Sequence, residues 1–420
     1  MEKKKLDNNN ILLKRLLLSL GILLFVRLGT FLPIPGVDHE NLMFYIQRHT
    51  ITKNLVSTFS GNDTFVIGLF TLNIFPYINA SILIQLLVNF IPSLARLQKE
   101  GTPQGKRTIT QLTRLITLGW AFIQSISIAV FLKRVLFNWN VPLACEIVIW
   151  LTTGAMIVLW LSELITEYGL GNGASLLIYT NIVSSLPNLI QKLVIDNTRD
   201  FNILSWLIIG FIFFVTIAGI IFLQEGVRII PLISSRQLNQ TFLISSEFQK
   251  NTYLPLRFNQ AGVMPIILTT AILVIPSYIS NLGTVPIVTV PIFIKSSKLL
   301  YWIIYFTLIL MFSSFYSTIV LKPKDISDQL QKMAVSIPGI RPGITTTLYL
   351  KEIMKRVTFF GAIMLAIVAT LPNLIETILH ISNFNALGTT SLLILVGVML
   401  DLSREIKSIF LSNVYDDMFN

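Results

Sequence analysis

The chain has 420 residues, of which 53% are apolar and 13% are charged, and its mean hydropathy is +0.72. It carries 32 Lys and Arg residues against 21 Asp and Glu residues, a net charge of +11. Soluble globular proteins carry roughly 25% charged residues. This chain has about half that fraction of charged residues and a large apolar fraction, so much of its surface requires lipid as the solvent. The composition therefore excludes a soluble enzyme and predicts a membrane protein.

Ten apolar stretches approach the ~20 helical residues needed to cross a hydrocarbon core of ~30 Å. They are residues 16–32, 65–92, 112–132, 147–165, 174–193, 203–223, 261–279, 299–321, 357–371 and 387–402, the last two being short. The predicted fold class is therefore an all-α membrane protein with ten transmembrane helices. An even number of spans places both termini on one side of the membrane.

The N-terminus resembles a signal peptide only in part. Lys3, Lys4 and Lys5 precede the first apolar stretch, as a positively charged n-region would. That stretch leads into residues 33–36 without a small-x-small cleavage site, so we predict a retained first span. Because no Ser- and Arg-rich leader is seen, we expect that a protein of this type working in an organelle would be made there.

Metal and disulfide chemistry find little support in the residue types present. Cys145 is the single cysteine, which excludes an intramolecular disulfide framework and a cysteine-built zinc or iron–sulfur site. The histidines, His39, His49 and His380, are too far apart for a local metal motif, and H-E-x-x-H does not occur. We therefore expect no metal site.

Most Lys and Arg residues between the predicted spans fall on one side, which places both termini in the cytosol or the plastid stroma. Two long loops on that side, residues 224–259 and 322–356, carry Pro, Gly and spaced basic residues. Long polar loops are more often functional than idle, although basic residues that only set topology give the same pattern. The turn at residues 337–343, Ile-Pro-Gly-Ile-Arg-Pro-Gly, favours docking because Pro and Gly stiffen the chain around Arg341.

Residues 57–71 combine Gly and polar residues with apolar ones, which suits a half-inserted helix better than a lipid-facing one. Irregular backbone at membrane depth must be shielded by protein or line a water-filled cavity. Pro76 then marks a break before the longer apolar run. This pattern predicts a cavity between two halves of the protein.

Two glycine-rich segments resemble nucleotide-binding motifs only superficially. Residues 101–106 are one residue short of a phosphate loop, and Arg107 replaces the hydroxyl residue that would hold magnesium. Residues 169–173 follow a membrane span rather than a strand, so we interpret them as a tight interhelical turn. Charged residues within the spans are few, namely Arg27, Glu163 and Asp401, all near helix ends. The uncharged Gln85, Gln124 and Asn259 suit either interhelical hydrogen bonding or gating.

Several segments together resemble the SecY family of protein-conducting channels, over nearly the whole chain. They are RLGTFLPIPGV at 27–37, NIFPYINASI at 73–82, QKEG at 98–101, ITEYGLGNG at 165–173, NQAGVMP at 259–265, the turn at 337–343 and SLLI at 391–394. The resemblance implies two pseudo-symmetric halves of five spans, residues 1–195 and 196–420, hinged between spans 5 and 6. It also implies a pore ring of six isoleucines: Ile78, Ile82, Ile178, Ile182, Ile267 and Ile394.

By the same resemblance, residues 57–68 match the plug that closes the idle channel. Its marked members are Ser57, Gly61, Asn62, Asp63 and Gly68, with Asn62 where the family usually has a second glycine. The lateral gate is expected between spans 2 and 3 on one side and spans 7 and 8 on the other. Its matching residues are Gln124, Asn259 and Val88, the last standing where a polar residue is expected.

The resemblance implies partners and no covalent chemistry. We expect a SecE-type small subunit, a SecA-type ATPase, the ribosome, signal-sequence-bearing polypeptides and membrane lipid, with no sequence-specific nucleic acid, no catalytic residue and no cofactor. Arg341 is the main docking candidate, followed by Arg228 and Arg236. The expected location is a plastid thylakoid membrane with both termini stromal, or alternatively a bacterial inner membrane.

Without the resemblance, a coupled small-solute transporter with inverted repeats is the competing hypothesis. Such a transporter should carry charged or carbonyl ligands at the midplane, whereas the constriction expected here is apolar. An intramembrane protease is disfavoured because the chain has no G-x-S-x-G motif.

Overall fold

The computed structural model describes residues 2–35, 37, 68–100, 103–132, 139–196, 203–234, 253–259, 262, 264–266, 268–269, 298–320, 322–379 and 389–419. The chain forms two compact units, one of Met1–Gln191 with Val398–Asn420 and the other of Lys192–Gly397. The division differs from the predicted 1–195 and 196–420 at the C-terminal segment, because Leu402 and Glu405 pack on the turn at Gly171. The pseudo-symmetry of the halves stays a prediction.

Helices dominate the first half of the chain. They are α1 (Glu2–Phe31), α2 (Phe75–Phe90), α3 (Pro92–Glu100), α4 (Pro103–Leu132), α5 (Val141–Tyr168), α6 (Gly173–Asp196) and α7 (Ile203–Glu225). The second half adds strands β1 (Val227–Pro231), β2 (Ile233–Ser234), β3 (Tyr253–Arg257) and β4 (Val335–Ser336), with helices α8 (Lys298–Val320), α9 (Pro323–Lys332), α10 (Ile344–Leu379) and α11 (Thr389–Phe419).

Several of these helices are long and apolar enough to cross a membrane. Among the described residues they are Pro103–Val130, Val141–Tyr168 and Ile344–Leu371, and shorter apolar helices cover Phe75–Val88, Phe213–Glu225 and Ile303–Ser317. Each overlaps a predicted span, and the total of ten spans stays a prediction. Large apolar side chains on α4 and α5 are exposed, among them Leu115, Phe122, Trp150 and Trp160. Such a surface suits contact with lipid rather than with water.

The core of the first unit lies between α4, α5 and the segments that follow α1 and precede α2. Its buried members include Leu72, Ala121, Leu132, Ile147 and Leu151. The small residues on α4 and α5 allow the helices and the 68–74 segment to approach closely. Close approach of this kind supplies dispersion contacts, which hold helices together where lipid removes the hydrophobic driving force.

The two long loops of the second unit fold together into what we call the loop platform, consisting of β1 to β4, α9 and residues 337–357. Strand β1 pairs antiparallel with β3, and β2 of the first loop pairs antiparallel with β4 of the second. The platform core is apolar and draws on both loops. Its buried members are Ile230, Leu232, Leu256, Leu330, Ile337, Leu350, Ile353, Met354 and Val357.

The end of the second long loop, predicted at residues 322–356, is helical, because α10 begins at Ile344. The boundary between this loop and the ninth span stays a prediction. The spacing of Leu350, Ile353, Met354 and Val357 places one apolar face of this helix against the platform core. The helix therefore projects beyond its membrane-spanning part and supports the platform.

Candidate functional site

The turn at residues 337–343 is held by hydrogen bonds at both ends. The N–H of Ile340 donates to the carbonyl of Ile337 at 3.1 Å. The carbonyl of Gly343 accepts from the Ser327 hydroxyl at 3.1 Å and from the N–H of Thr347 at 3.2 Å. These bonds tie the turn to α9 and α10. The stiff turn predicted from Pro and Gly is present.

Arg341 is exposed at this turn while its backbone is fixed. Its carbonyl accepts hydrogen bonds from the hydroxyl of Thr346, at 2.8 Å, and from that of Thr345. Gly343 follows at φ +114°, a backbone conformation that side chains with a Cβ rarely adopt. The arrangement presents a guanidinium from a rigid support, which lowers the conformational entropy lost when an anionic group binds.

The surface around Arg341 is basic and grooved. A groove of about 560 Å³ is bounded by residues 334–342 together with Ile233 and Gln331. A second cavity of about 410 Å³ lies between α9 and the start of α10. Besides Arg341, the exposed cations on the platform are Arg228, Arg257, Lys324, Lys332, Lys351, Lys355 and Arg356, against the exposed carboxylates Asp328 and Glu352. Exposed apolar side chains are Met333, Ile344 and Leu348. Arg236 lies outside the described residues.

The predicted pore isoleucines of the first unit occur as two pairs. Ile78 and Ile82 are one turn apart on α2, and both are buried. Ile178 and Ile182 are one turn apart on α6, and both are half-buried. Residues four apart share a helix face, so each pair forms one apolar ridge. In the second unit Ile394 is half-buried on α11, and Ile267 lies outside the described residues.

Of the predicted plug, the structure describes only Gly68. This residue pairs with Pro33, and the N–H of Leu69 donates to the carbonyl of Leu32 at 3.0 Å. A Cβ at position 68 would collide with the carbonyl of Thr30. Gly68 therefore joins the segment before α2 to the end of α1. Ser57, Gly61, Asn62 and Asp63 lie outside the described residues.

The predicted gate residues have different surroundings. Val88 is buried on α2, and Gln124 is half-buried on α4. The Oε1 atom of Gln124 is buried and has no hydrogen-bond partner among the described residues. The side-chain amide of Asn259 donates to the carbonyl of Gly262 at 3.0 Å, which closes a local turn. In this structure the Asn259 side chain is therefore hydrogen-bonded to the backbone of its own segment.

Sequence reasoning missed a bidentate ion pair between α4 and α5. Arg114 Nε donates to Glu163 Oε1 at 2.9 Å, and its Nη2 donates to Oε2 at 2.8 Å. The pattern showed a lone carboxylate near the end of span 4 and a cation near the start of span 3. Their assignment to the same membrane side was the signal that could have paired them.

The glycine segment at residues 169–173 is the tight interhelical turn that the sequence predicted. Helix α5 ends at Tyr168, and α6 begins at Gly173, whose N–H donates to the Thr166 hydroxyl at 2.9 Å. No group of three or more His, Cys, Asp and Glu residues that could hold a metal ion occurs in the part of the chain that the structure describes.

The comparisons with known proteins agree with this architecture. The SecY family model matches residues 68–403. A protein translocase subunit SecY from Trieres chinensis is 65% identical over 424 residues, which cover 99% of this chain and all of the relative. The relative from Guillardia theta is 45% identical with 96% of each chain covered, and that from Synechococcus elongatus is 41% identical with 96% and 93% covered.

Solved structures show the same fold at low sequence identity. A protein-conducting channel aligns with a TM-score of 0.65 and 16% identity, covering 96% of this chain and 94% of the other. Sec61 in the canine ribosome–channel complex aligns with a TM-score of 0.61 and 15% identity, with the same coverage. The fold is that of a protein-conducting channel. The chain belongs to the SecY family.

Proposed function

We propose that this membrane protein is the central pore-forming subunit of a Sec-type channel. It moves unfolded polypeptides across the membrane and releases hydrophobic segments sideways into lipid. The observation that carries the proposal is the 65% identity, over 99% of the chain, to a protein translocase subunit. The subunit is a channel and not an enzyme, and the coupled small-solute transporter is not favoured.

The pore ring is proposed to act as a seal rather than a binding site. Ile78 with Ile82, and Ile178 with Ile182, supply two apolar ridges of branched side chains. Together with Ile267 and Ile394 they would form a narrow constriction that offers ions no ligand and excludes water by dewetting. An extended polypeptide could slide through such a ring, because no side chain of the substrate is held tightly.

The remaining channel parts are proposed from the matching positions. Residues 57–68 would close the idle pore as a plug, and Gly68 anchors the end of this segment to α1. Gln124, Asn259 and Val88 would border the lateral gate between the halves 1–195 and 196–420. An apolar helix then partitions into lipid through the gate, whereas its polar flanks do not.

The loop platform is proposed as the docking face for a SecA-type motor and for ribosomes. Arg341 is held there on a fixed backbone among exposed cations, which suits acidic protein surfaces and ribosomal RNA. Arg228 and Arg236 are proposed as secondary contacts. Sec61 and Ssh1, both of the same fold, have been solved with ribosomes bound. A SecE-type subunit would clamp the two halves.

The proposed location is the thylakoid membrane of a plastid, with both termini in the stroma. Relatives from the algae Trieres chinensis and Guillardia theta and from cyanobacteria support a photosynthetic lineage. A bacterial inner membrane is the alternative. Fractionation of plastids with an antibody against the C-terminus, before and after protease treatment of intact thylakoids, tests both location and orientation.

Planar-bilayer conductance of the purified channel tests the proposed function directly. Wild type should be nearly silent, whereas Ile82→Gly should pass large, poorly selective currents because the seal is opened. Ile82→Val, which keeps a branched apolar side chain, is the matched control and should stay closed. If instead the flux is saturable and solute-specific, and is the same in wild type and Ile82→Gly, the protein is a transporter.

A further inference from the structure

Phe258 occupies a notch formed by two glycines of the second unit. A Cβ at Gly226, directly after α7, would collide with the Phe258 ring, and a Cβ at Gly361, within α10, would collide with the Phe258 carbonyl. The N–H of Phe258 donates to the carbonyl of Gly226 at 2.9 Å. Two glycines, one on each helix segment, therefore permit this close approach.

The Phe258 ring is also flanked by aromatic side chains of both helices. Its centroid lies 6.4 Å from that of Phe222 on α7 and 5.8 Å, edge-on, from that of Phe360 on α10. Edge-to-face pairs of this kind add stability beyond area burial. The same ring packs against the apolar core of the loop platform. One residue thus contacts the end of α7, the middle of α10 and the platform.

The position of Phe258 in the chain gives these contacts a consequence. Strand β3 ends at Arg257, and Asn259 follows Phe258 directly. Asn259 closes the turn to Gly262 at the start of the predicted seventh span. Phe258 is thus fixed by α7, α10 and the platform at a point one peptide bond before Asn259. Packed interfaces of this kind shift between discrete arrangements rather than deform continuously.

We propose that Phe258 is a positioning residue that couples the loop platform to the start of the seventh span, so that docking at the platform moves Asn259. The inference rests on the proposed docking role of Arg341 and the proposed gate role of Asn259. In this proposal Phe258 acts through the platform and Asn259 and binds neither the docking partner nor the translocating polypeptide. Its function is to link the loop platform rigidly to the start of the seventh span, where Asn259 lies.

The test uses the channel with its SecE-type subunit in proteoliposomes, supplied with purified SecA and a signal-sequence-bearing substrate. Phe258→Ala and Gly361→Ala should bind SecA with unchanged affinity and translocate roughly two- to thirtyfold more slowly. Phe258→Leu keeps most of the apolar volume and should retain most transport. Phe359→Ala, the exposed neighbour on α10, is the matched control and should behave as wild type.

A double variant separates coupling from general damage. If Phe258 transmits docking at Arg341, then the R341A/F258A double variant should translocate no more slowly than the slower of the two single variants. A double variant whose loss of translocation rate equals the product of the two single losses would overturn the proposal. Gly361→Ala retains the ring and displaces only the Phe258 backbone, so it decides the question where F258A yields no folded channel.

Amide exchange gives a readout that is independent of transport. In wild type, SecA binding should change exchange at residues 259–269, and in F258A the bound motor should leave it unchanged. A wild-type channel that translocates no polypeptide but shows this response would refute the proposed function and keep the coupling. Normal translocation with the same exchange response in wild type and F258A would refute the coupling alone.

Discussion

Glu405 of α11 accepts a hydrogen bond from the backbone N–H of Gly171, in the turn between α5 and α6, at 3.1 Å. The two residues are 234 positions apart in the chain. Gly171 has φ +79°, and a Cβ there would press on Leu402, one turn before Glu405. The C-terminal helix therefore holds the α5–α6 turn through a carboxylate and a close apolar contact, which explains why the last segment groups with the first unit.

Removal of this carboxylate should weaken the first unit. Glu405→Ala leaves the Gly171 N–H without its partner, and we expect a loss of about 1–2 kcal/mol in unfolding free energy. The measurement is reversible denaturant unfolding in detergent. Asp401→Ala, which removes an exposed carboxylate from the same helix, is the control and should cost less than about 0.5 kcal/mol. Equal losses in both variants would contradict the proposed hold on the turn.

The Arg114–Glu163 pair should stabilise the packing of α4 on α5. The side chains are 50% and 25% exposed and the contact is bidentate, so we expect a coupling energy of about 1 kcal/mol in a double-mutant cycle. Arg114→Lys should lose most of this coupling energy, because the lysine ammonium cannot form the two parallel hydrogen bonds that a guanidinium donates to a carboxylate.

The chain contains a matched control for this pair. Arg356 and Glu352 lie at the same 2.8 Å, but they are 72% and 66% exposed and belong to one helix. Their coupling should be roughly 0.3–0.5 kcal/mol. The same cycle, run on both pairs in the same detergent, compares them directly. A coupling for Arg114–Glu163 no larger than that of the control would show that the interhelical pair adds nothing.

Arg341→Ala should impair docking without impairing folding. The side chain is exposed, and the hydrogen bonds of the turn use only its backbone carbonyl. Loss of one charge-assisted contact of about 1.5–3 kcal/mol should raise the Kd for SecA roughly ten- to a hundredfold. Binding is measured by titration at two salt concentrations, because an electrostatic contact weakens with salt.

Thr346→Val provides the companion variant at the same turn. It keeps Arg341 but removes one hydroxyl that bonds the Arg341 carbonyl. We expect a smaller rise in Kd, about two- to fivefold, because the guanidinium is less preorganised. An unchanged Kd for SecA in R341A would show that the docking contact lies on another part of the platform.

Val88→Thr should change the stringency with which signal sequences open the channel. Val88 is buried on α2, and threonine has nearly its size but buries a hydroxyl. Within a helix that hydroxyl can donate to the carbonyl three or four residues earlier, so the fold should be retained while a polar group enters the predicted gate. Translocation of substrates with weakened signal sequences is the measurement. Val130→Thr, on the exposed face of α4, is the control. An identical substrate range for V88T and wild type would remove Val88 from the gate.

The local elements of this protein were predictable because their signals lie in adjacent residues. Apolar length identified the segments that became α2, α4, α5, α7, α8 and α10. Pro and Gly identified the turns at 169–173 and 337–343, since each restricts or frees the backbone at its own position. The helical end of the second loop was not predicted, because packing of Leu350 and Met354 on the platform core stabilises that part of α10, and local residues do not reveal this packing.

The sequence alone thus determined the membrane class, most of the span positions and the basic, stiff turn around Arg341. Tertiary structure alone decided which distant residues meet. It pairs Arg114 with Glu163, joins Glu405 to Gly171, aligns β2 of one loop with β4 of the other, and places Phe258 between Gly226 and Gly361. Such contacts depend on how packed helices bring remote segments together, and local residue patterns place two residues on the same side of the membrane at most, without specifying that they meet.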